Sequence, residues 1–373
     1  MRILTKYITR ELLVAMALGL MLFSVIFVIQ AFFKGMDLLL MSEFSALTIF
    51  KMLAIILPPL LILILPISLL MAIIAIYGKF SEEREISAML MSGMNYKKLL
   101  KPAIVIGIIC TIFLLIWCEV VVPKSVQIQN EMLVSFIQNL SITGLLREGS
   151  FISKFENMIF HVHKIDPVTN VLEKISIFIY RNEKVLGLII APAGKVDFDP
   201  DNLLLNIKLS NGAIYEPITN KEVGVTKFEE FNFLIDVKRR LYQYYQELDA
   251  LEGLHRSELK ELIDIQKRDN IKSIAGYPRW YDTSITMHQR LSFPFACLLM
   301  AFVGVPVGLM IHKGKKAWVF IVTILIVFLY YSILLIGQAL IKSSVCNVLI
   351  GMWLPNVFLL GFGLVANWLV ARR

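Results

Sequence analysis

The sequence predicts an α-helical membrane protein: six transmembrane helices, split three and three by an inserted antiparallel β domain, a sandwich or open barrel, on the non-cytoplasmic side. Three observations predict this. Hydrophobic residues make up 57% of the 373, and mean hydropathy is +0.71, more apolar than an ordinary soluble domain. Six apolar runs stand near residues 12–33, 47–77, 102–122, 287–311, 317–341 and 349–370, and each meets the roughly 20 residues needed to cross a hydrocarbon core. Between the third and fourth runs the pattern changes to short alternating stretches.

The first run, Leu12 to Phe33, follows basic residues and has no small-residue cleavage site after it. A signal peptide has an apolar core of roughly 7–15 residues, so a retained span is expected. The second run is the longest and carries Pro58, Pro59 and Pro66. Proline removes a helical N–H but is tolerated where neighbouring helices satisfy the freed carbonyls, so this span is expected to be bent, tilted or broken.

Lys/Arg bias sets the orientation. One set of ends carries Arg2, Lys6, Arg10, Lys79, Arg84, Lys97, Lys98, Lys101, Lys313, Lys315, Lys316, Arg372 and Arg373; the opposite short loops carry only Lys34 and Lys342. Both termini are therefore expected in the cytoplasm, and residues 123–286 outside, which in a two-membrane bacterium is the periplasm. The net charge of +8 follows the same division. Residues 123–286 hold 20 Lys/Arg against 22 Asp/Glu, and the remainder 17 against 7. Such a distribution marks topology and argues against nucleic-acid binding.

The expected domains are 1–122, with spans one to three and a cytoplasmic coupling helix at about 80–93; 123–286, the β domain with a helical linker at its end; and 287–373, spans four to six. Within the insert, Phe160 and Val162 alternate with His161 and His163, Leu203 to Leu209 with Asn206 and Lys208, and Phe231 to Ile235 with Asn232. Period two marks half-buried strands. Asp166-Pro167, Asp199-Pro200, Asn211-Gly212 and Glu216-Pro217 are expected turns. Polar helices are expected at about 239–250 and at 258–268, the second with Ser257 as N-cap.

Cys110, Cys118 and Cys297 lie in apolar runs and Cys346 near a run end, which reads as packing. His161 and His163 share a strand face with no third ligand nearby, and no metal or cofactor is expected. The stretch from Gly308 to Lys316 is not a nucleotide-binding loop: one residue too many separates Gly308 from Gly314, and Lys316 stands where a Ser or Thr is needed. Any nucleotide energy must come from another subunit. Tyr242, Tyr244, Tyr245, Trp280 and Tyr281 read as packing or interfacial aromatics.

The loop SEEREISAMLMSGMN carries the clearest functional pattern. Glu82, Glu83 and Glu85 precede Ile86, Met89 and Leu90, Gly93 is placed to end the helix, and basic residues follow. Acid first and base last suits the helix dipole, and the apolar spacing gives one sticky face. This is either a handle for a cytoplasmic motor protein or an interfacial helix lying in the headgroups. At the outer edge Lys34 ends span one, Glu119 lies near the end of span three, and Arg290 begins span four. Ionisable groups at this depth usually face a cavity, a partner or an anionic ligand; snorkelling is the commoner fate of a lone Lys.

These segments carry a resemblance. The opening TKYITREL, the loop above, the run MHQRLSFPFACLLMAFVGVPVG and the three-domain-three layout resemble the LptF/LptG (YjgP/YjgQ) permease family of the lipopolysaccharide export ABC transporter. Tyr7, Arg10 and Glu11 resemble the LptF branch more than LptG. The resemblance implies a non-catalytic permease in the bacterial inner membrane, with no cofactor, paired with an LptG-like sister permease. First and fifth spans would border a lipid cavity, and the inserted periplasmic antiparallel β domain would be jellyroll-like. It further implies an LptB-like ATPase dimer, an LptC-like single-span accessory protein and an LptA-like periplasmic bridge receiving lipopolysaccharide. By position, Glu85 matches the family's coupling-helix glutamate, with Ile86 and Met89 beside it and Gly93 closing the helix. Lys34 and Arg290 match basic residues at the outer ends of spans one and four, suited to lipid phosphates; Ala31 stands where some members have a further cation. Two other classes are weighed beside it: a mechanotransmitting or lipoprotein-releasing ABC subunit, which typically has four spans, and a non-transporting envelope scaffold.

Overall fold

The computed structural model describes residues 2–39, 46–93, 95–138, 151–155, 158–165, 171–181, 184–199, 204–218, 222–236, 251–271, 273, 277–311 and 316–372. It divides into two compact units: one of residues 1–34, 50–129 and 248–373, the other of 35–49 and 130–247.

The helical unit is built from α1 (Arg2–Leu39), α2 (Ala46–Glu82), the short α3 (Glu85–Met91), α4 (Tyr96–Gln138), α5 (Arg256–Arg268), α6 (Trp280–Met310), α7 (Lys316–Lys342) and α8 (Val348–Ala371). Among the described residues six of these are long and apolar enough to cross a membrane, as the six apolar runs predict. α2 is one uninterrupted helix despite Pro58, Pro59 and Pro66, and the indole of Trp117 on α4 donates to the Pro58 carbonyl at 3.0 Å. Of the expected bend, tilt or break, a break is therefore not found.

α2 and α6 form the centre of this unit. Gly304 and Gly308 of α6 face α2 so closely that a Cβ on Gly304 would lie 2.9 Å from Ile73 Cγ2, and one on Gly308 3.0 Å from the Tyr77 Cβ. Two glycines four apart let helix backbones approach and gain dispersion contacts where lipid offers no hydrophobic drive. Buried polar groups pin the other helices to this pair. Asn356 Nδ2 donates to Ser292 Oγ at 2.9 Å and to the Ser292 carbonyl at 3.0 Å, and Thr111 Oγ1 donates to the Pro294 carbonyl at 3.0 Å. Cys110, Cys118 and Cys297 are buried free thiols and Cys346 is half-buried and free.

α5 starts two residues earlier than expected. Its N-cap is His255 rather than Ser257, because Glu258 reaches back to accept from the His255 backbone N–H at 2.6 Å. That reciprocal reach fixes the start three residues before the glutamate. The helix expected at 239–250 lies outside the described residues.

The second unit contains one six-stranded antiparallel sheet of β1 (Phe151–Phe155), β2 (Met158–Ile165), β3 (Val171–Arg181), β4 (Lys184–Asp199), β5 (Leu204–Ile218) and β6 (Glu222–Asp236), paired strictly in sequence order. Val162, Ile207 and Leu209 are buried, as the alternation predicts, and Ile177 and Ile189 are buried beside them. Asn211-Gly212 and Glu216-Pro217 do not turn the chain: β5 runs through both.

Asn211 instead lies on a crease. Pairing is interrupted along a row crossing five strands: His163, Lys174, Pro192, Asn211 and Glu229 fall between the flanking pairs. Lys174 and Asn211 have φ of 50° and 54°, and Pro192 has no N–H to give a ladder. Across the crease the buried positions slip phase by one: Leu172 then Ile175 in β3, Ala191 then Gly194 in β4, Leu209 then Gly212 in β5. A strict alternation would send successive side chains to opposite faces; the left-handed or proline residue resets it, so one face stays apolar along each strand. Gly212 is required here because a Cβ would collide with the Phe228 ring and stand 2.6 Å from the Ile190 carbonyl.

Candidate functional site

At one end of the helical unit the chain passes from α2 through α3 into α4. The expected helix over 80–93 is realised differently. Glu82 ends α2, the Glu83 N–H still bonds the Lys79 carbonyl at 2.9 Å, and Arg84 breaks the run at φ 58°. The acidic cluster thus straddles a corner, and only Glu85 stands in the first turn of α3.

α3 has seven residues, well below the roughly 12–15 at which a helix holds itself in water. Packing must hold it, and Ile86 supplies that packing. Ile86 is 6% exposed and, with the partly buried Met89, joins the cluster of Ile8 and Leu12 of α1, Phe80 of α2 and Leu99 of α4. Tyr7 packs its ring 5.6 Å from Phe80, and Lys79 Nζ lies 3.7 Å from Glu11 Oε2. The opening TKYITREL is therefore the α1 half of the seat on which α3 rests.

The seat is itself braced. The Tyr77 hydroxyl donates to the Leu99 carbonyl, Tyr96 to Asn367 Oδ1 at 2.7 Å, and Asn367 Nδ2 to the Phe302 carbonyl at 3.1 Å. Ser81 Oγ reaches the Leu309 carbonyl at 3.3 Å. α2, α4, α6 and α8 are all tied at this end. The sticky face expected from Ile86, Met89 and Leu90 is split by this packing. Ile86 and Met89 point inward, whereas Leu90 is 43% and Met91 88% exposed. Gly93 has φ +80° with open space around its Cβ position, so its left-handed backbone, not crowding, calls for glycine. The structure brings Glu85, Ile86, Met89 and Gly93 into this one platform.

Arg290 lies apart from it, near the start of α6, and is buried at 7% exposure. Nη2 donates to the carbonyls of Leu251 and Glu252 at 3.1 and 2.6 Å. Nη1 is buried and finds no hydrogen-bond partner, and the Glu119 and Glu252 carboxylates supply negative charge nearby. The guanidinium clasps the turn that enters α5 onto α6. Lys34 is in α1, but its side chain lies outside the described residues. His161 is half-buried and His163 exposed on β2. Among the described residues no cluster of three His, Cys, Asp or Glu is placed to hold a metal.

The helices differ sharply in how far the chain itself covers them. The most apolar window is 67% buried in α2 and α6, 39% in α8, 33% in α4, 22% in α7 and 11% in α1. α1 and α7, the first and fifth spans, thus turn the widest apolar faces away from their own unit. Leu18 and Met21 on α1 are 64% and 71% exposed, and Phe328 and Leu335 on α7 are 65% and 64%. Sequence reasoning passed over the Gly304/Gly308 contact and the Asn356–Ser292 bond; a four-residue glycine spacing inside an apolar run is the signal for the first.

The family model for the lipopolysaccharide export system permease LptF/LptG matches residues 6–371. The chain is also similar to the uncharacterized protein RP871 of Rickettsia prowazekii (strain Madrid E), at 24% identity over 273 residues, covering 72% of this chain and 71% of that protein.

Proposed function

The chain belongs to the lipopolysaccharide export system permease LptF/LptG family, and from that premise we propose that it is the non-catalytic permease subunit of an ABC transporter that draws lipopolysaccharide from the inner membrane and passes it to a periplasmic bridge. One observation carries the reading. A multi-pass bundle braced around α3 at one end leaves its first and fifth spans largely uncovered, as a wall of a lipid cavity closed by an LptG-like sister permease requires. An LptC-like single span fits against the same uncovered apolar faces. Pulling acyl chains from a bilayer opposes about 0.8 kcal/mol per methylene, so an LptB-like ATPase dimer must do the work, engaging α3 from the cytoplasm through Glu85 and the outward Leu90 and Met91. Residues 123–286 then lie in the periplasm, and β1 or β6, the two edge strands, offers main-chain groups to an LptA-like partner. Lys34 supplies a cation at the outer rim of the path, and Nη1 of Arg290, which the clasp on the 251–252 carbonyls leaves unbonded, supplies a second. Six spans among the described residues disfavour the four-span mechanotransmitting alternative.

Photocrosslinkers placed at Leu18, Met21 and Lys34 on α1 and at Phe328 on α7 are expected to label lipopolysaccharide in cells, with Lys34→Glu reducing the yield. Glu85→Ala is expected to weaken recovery of the ATPase by several-fold, as one charged interface contact is lost. Undiminished ATPase recovery together with no lipopolysaccharide labelling from α1 or α7 would leave an envelope scaffold as the better reading.

A further inference from the structure

Away from α3, at the opposite ends of the spans, the helical unit holds a cleft of about 370 Å³ between α5, the start of α6 and the start of α8. Lys260 and Lys267 line it from α5, with Asp264 between them. Seven residues is two helical turns, so the two ammonium groups share a face. His288 and Trp280 line it from α6, and Asn347 and Val348 from the first turn of α8. Lys267 Nζ sits over the Trp280 ring, 4.6 Å from its centre, a cation–π contact that holds the ammonium at the side of the cleft.

We propose that this cleft binds the phosphate of an anionic membrane phospholipid headgroup, one without a compensating ammonium, at a place separate from the lipid path bordered by α1 and α7. Three features of the cleft specify the ligand. First, the charge favours an anion. Two lysines outweigh one aspartate, and the amide end of α8 adds roughly half a positive charge. Second, the floor is amphiphilic. Ile263, Met287 and Val348 lie beneath the lysines, so a ligand with a charged head and an oily root is matched better than free phosphate. Third, the level is right. Trp280 opens α6 and Val348 opens α8, both membrane-spanning, and a tryptophan at a span's start marks the headgroup layer. The volume suits a phosphoglycerol group and is at the small end of ligand sites; a phosphorylated disaccharide with several acyl chains would not enter it. Bound there, the lipid joins α5 to α6 and α8, and so holds the linker that returns the chain to the membrane.

The full-length protein is reconstituted in nanodiscs of phosphatidylglycerol and phosphatidylcholine and released for native mass spectrometry. Retained phosphatidylglycerol is expected to fall about fivefold for each lysine removed in Lys260→Gln and Lys267→Gln. Phosphatidylcholine retention stays unchanged. Both lysines are exposed, so the fold survives their replacement by a neutral side chain of similar reach, and circular dichroism checks this. Equal phosphatidylglycerol retention in the double variant overturns the proposal. So does protection of the wild type by inorganic phosphate alone, or displacement of the phospholipid by purified lipid A at equimolar amounts. None of these readouts depends on lipopolysaccharide export, so failure here leaves the transport reading intact.

Discussion

On the proposed function α3 is where an ATPase would push, and truncating Ile86 tests what holds it in place. α3 has seven residues, and Ile86, at 6% exposure, is its buried anchor. Ile86→Ala removes three carbons from the cluster formed with Ile8, Leu12 and Phe80. Truncations of this kind cost about 2–5 kcal/mol; because α3 lies at the rim of the cluster and can settle, the lower half of that range is expected. The loss falls on local opening rather than global unfolding, since α2 and α4 have their own brace through Tyr77, Tyr96 and Asn367. At 1.4 kcal/mol per tenfold, a loss of about 3 kcal/mol raises amide exchange across residues 85–91 on the order of 100-fold. Exchange across 70–77 stays as in the wild type. Hydrogen exchange with mass spectrometry reads both segments in one experiment. Met91→Ala is the control: at 88% exposure it leaves exchange unchanged, yet weakens ATPase association if the outward face is the docking face. Unchanged exchange at 85–91 in Ile86→Ala would refute the claim that packing holds α3.

Two further predictions test the clasp and the central helix pair. Arg290→Met deletes both charged hydrogen bonds to the 251–252 carbonyls, each worth about 1.5–3 kcal/mol, and limited proteolysis is expected to cut near residues 251–255 in the variant only. A drop in lipid labelling without new cleavage would instead make Arg290 a direct lipid ligand. Gly304→Val forces branched carbon into Ile73 on α2, and overpacking of about 1–3 kcal/mol is expected to lower the thermal transition in detergent; Gly361→Ala, with open space around it, is expected to leave it unchanged.

The spans were legible because length and hydropathy are additive along the chain. The six apolar runs fall on the six long helices, the fourth ending one residue past α6 at its C-cap Ile311, and most helices run on past them, α4 reaching Gln138. What the sequence did not reveal was anything decided by which neighbour arrives. Asn211-Gly212 has turn chemistry, but in the fold its left-handed residue is spent on the crease, because Lys174 and Pro192 stand in the same row on the adjoining strands. Ser257 has cap chemistry, but Glu258 selects His255. Ile86, Met89 and Leu90 share a helical face by spacing alone, yet the arrival of α1 and α4 buries the first two and leaves the third outside. Arg290 was legible as a group needing a partner; the carbonyls that serve it lie 38 and 39 residues earlier, beyond any local pattern.

The same contacts bear on how a push at α3 would travel. α1 has little to hold it along its length, with 11% of its apolar window buried. Its contacts with the unit run over its first half, where Ile8 and Leu12 enter the α3 cluster, Tyr7 meets Phe80, Met16 and Leu20 pack on the same cluster and Gly19 meets Ser68 of α2. α2 and α6 are locked by the Gly304 and Gly308 contacts. Packed cores shift between discrete arrangements rather than deform smoothly. On the proposed function, a displacement of α3 would meet more resistance from the α2–α6 pair than from α1, so α1 is the span expected to move. On the proposed function that is the span facing the lipid, and tilting it would narrow the cavity without dismantling the centre of the bundle. The Glu11–Lys79 pair, about half exposed on the lysine side, is too weak at roughly 0–1 kcal/mol to prevent such a tilt.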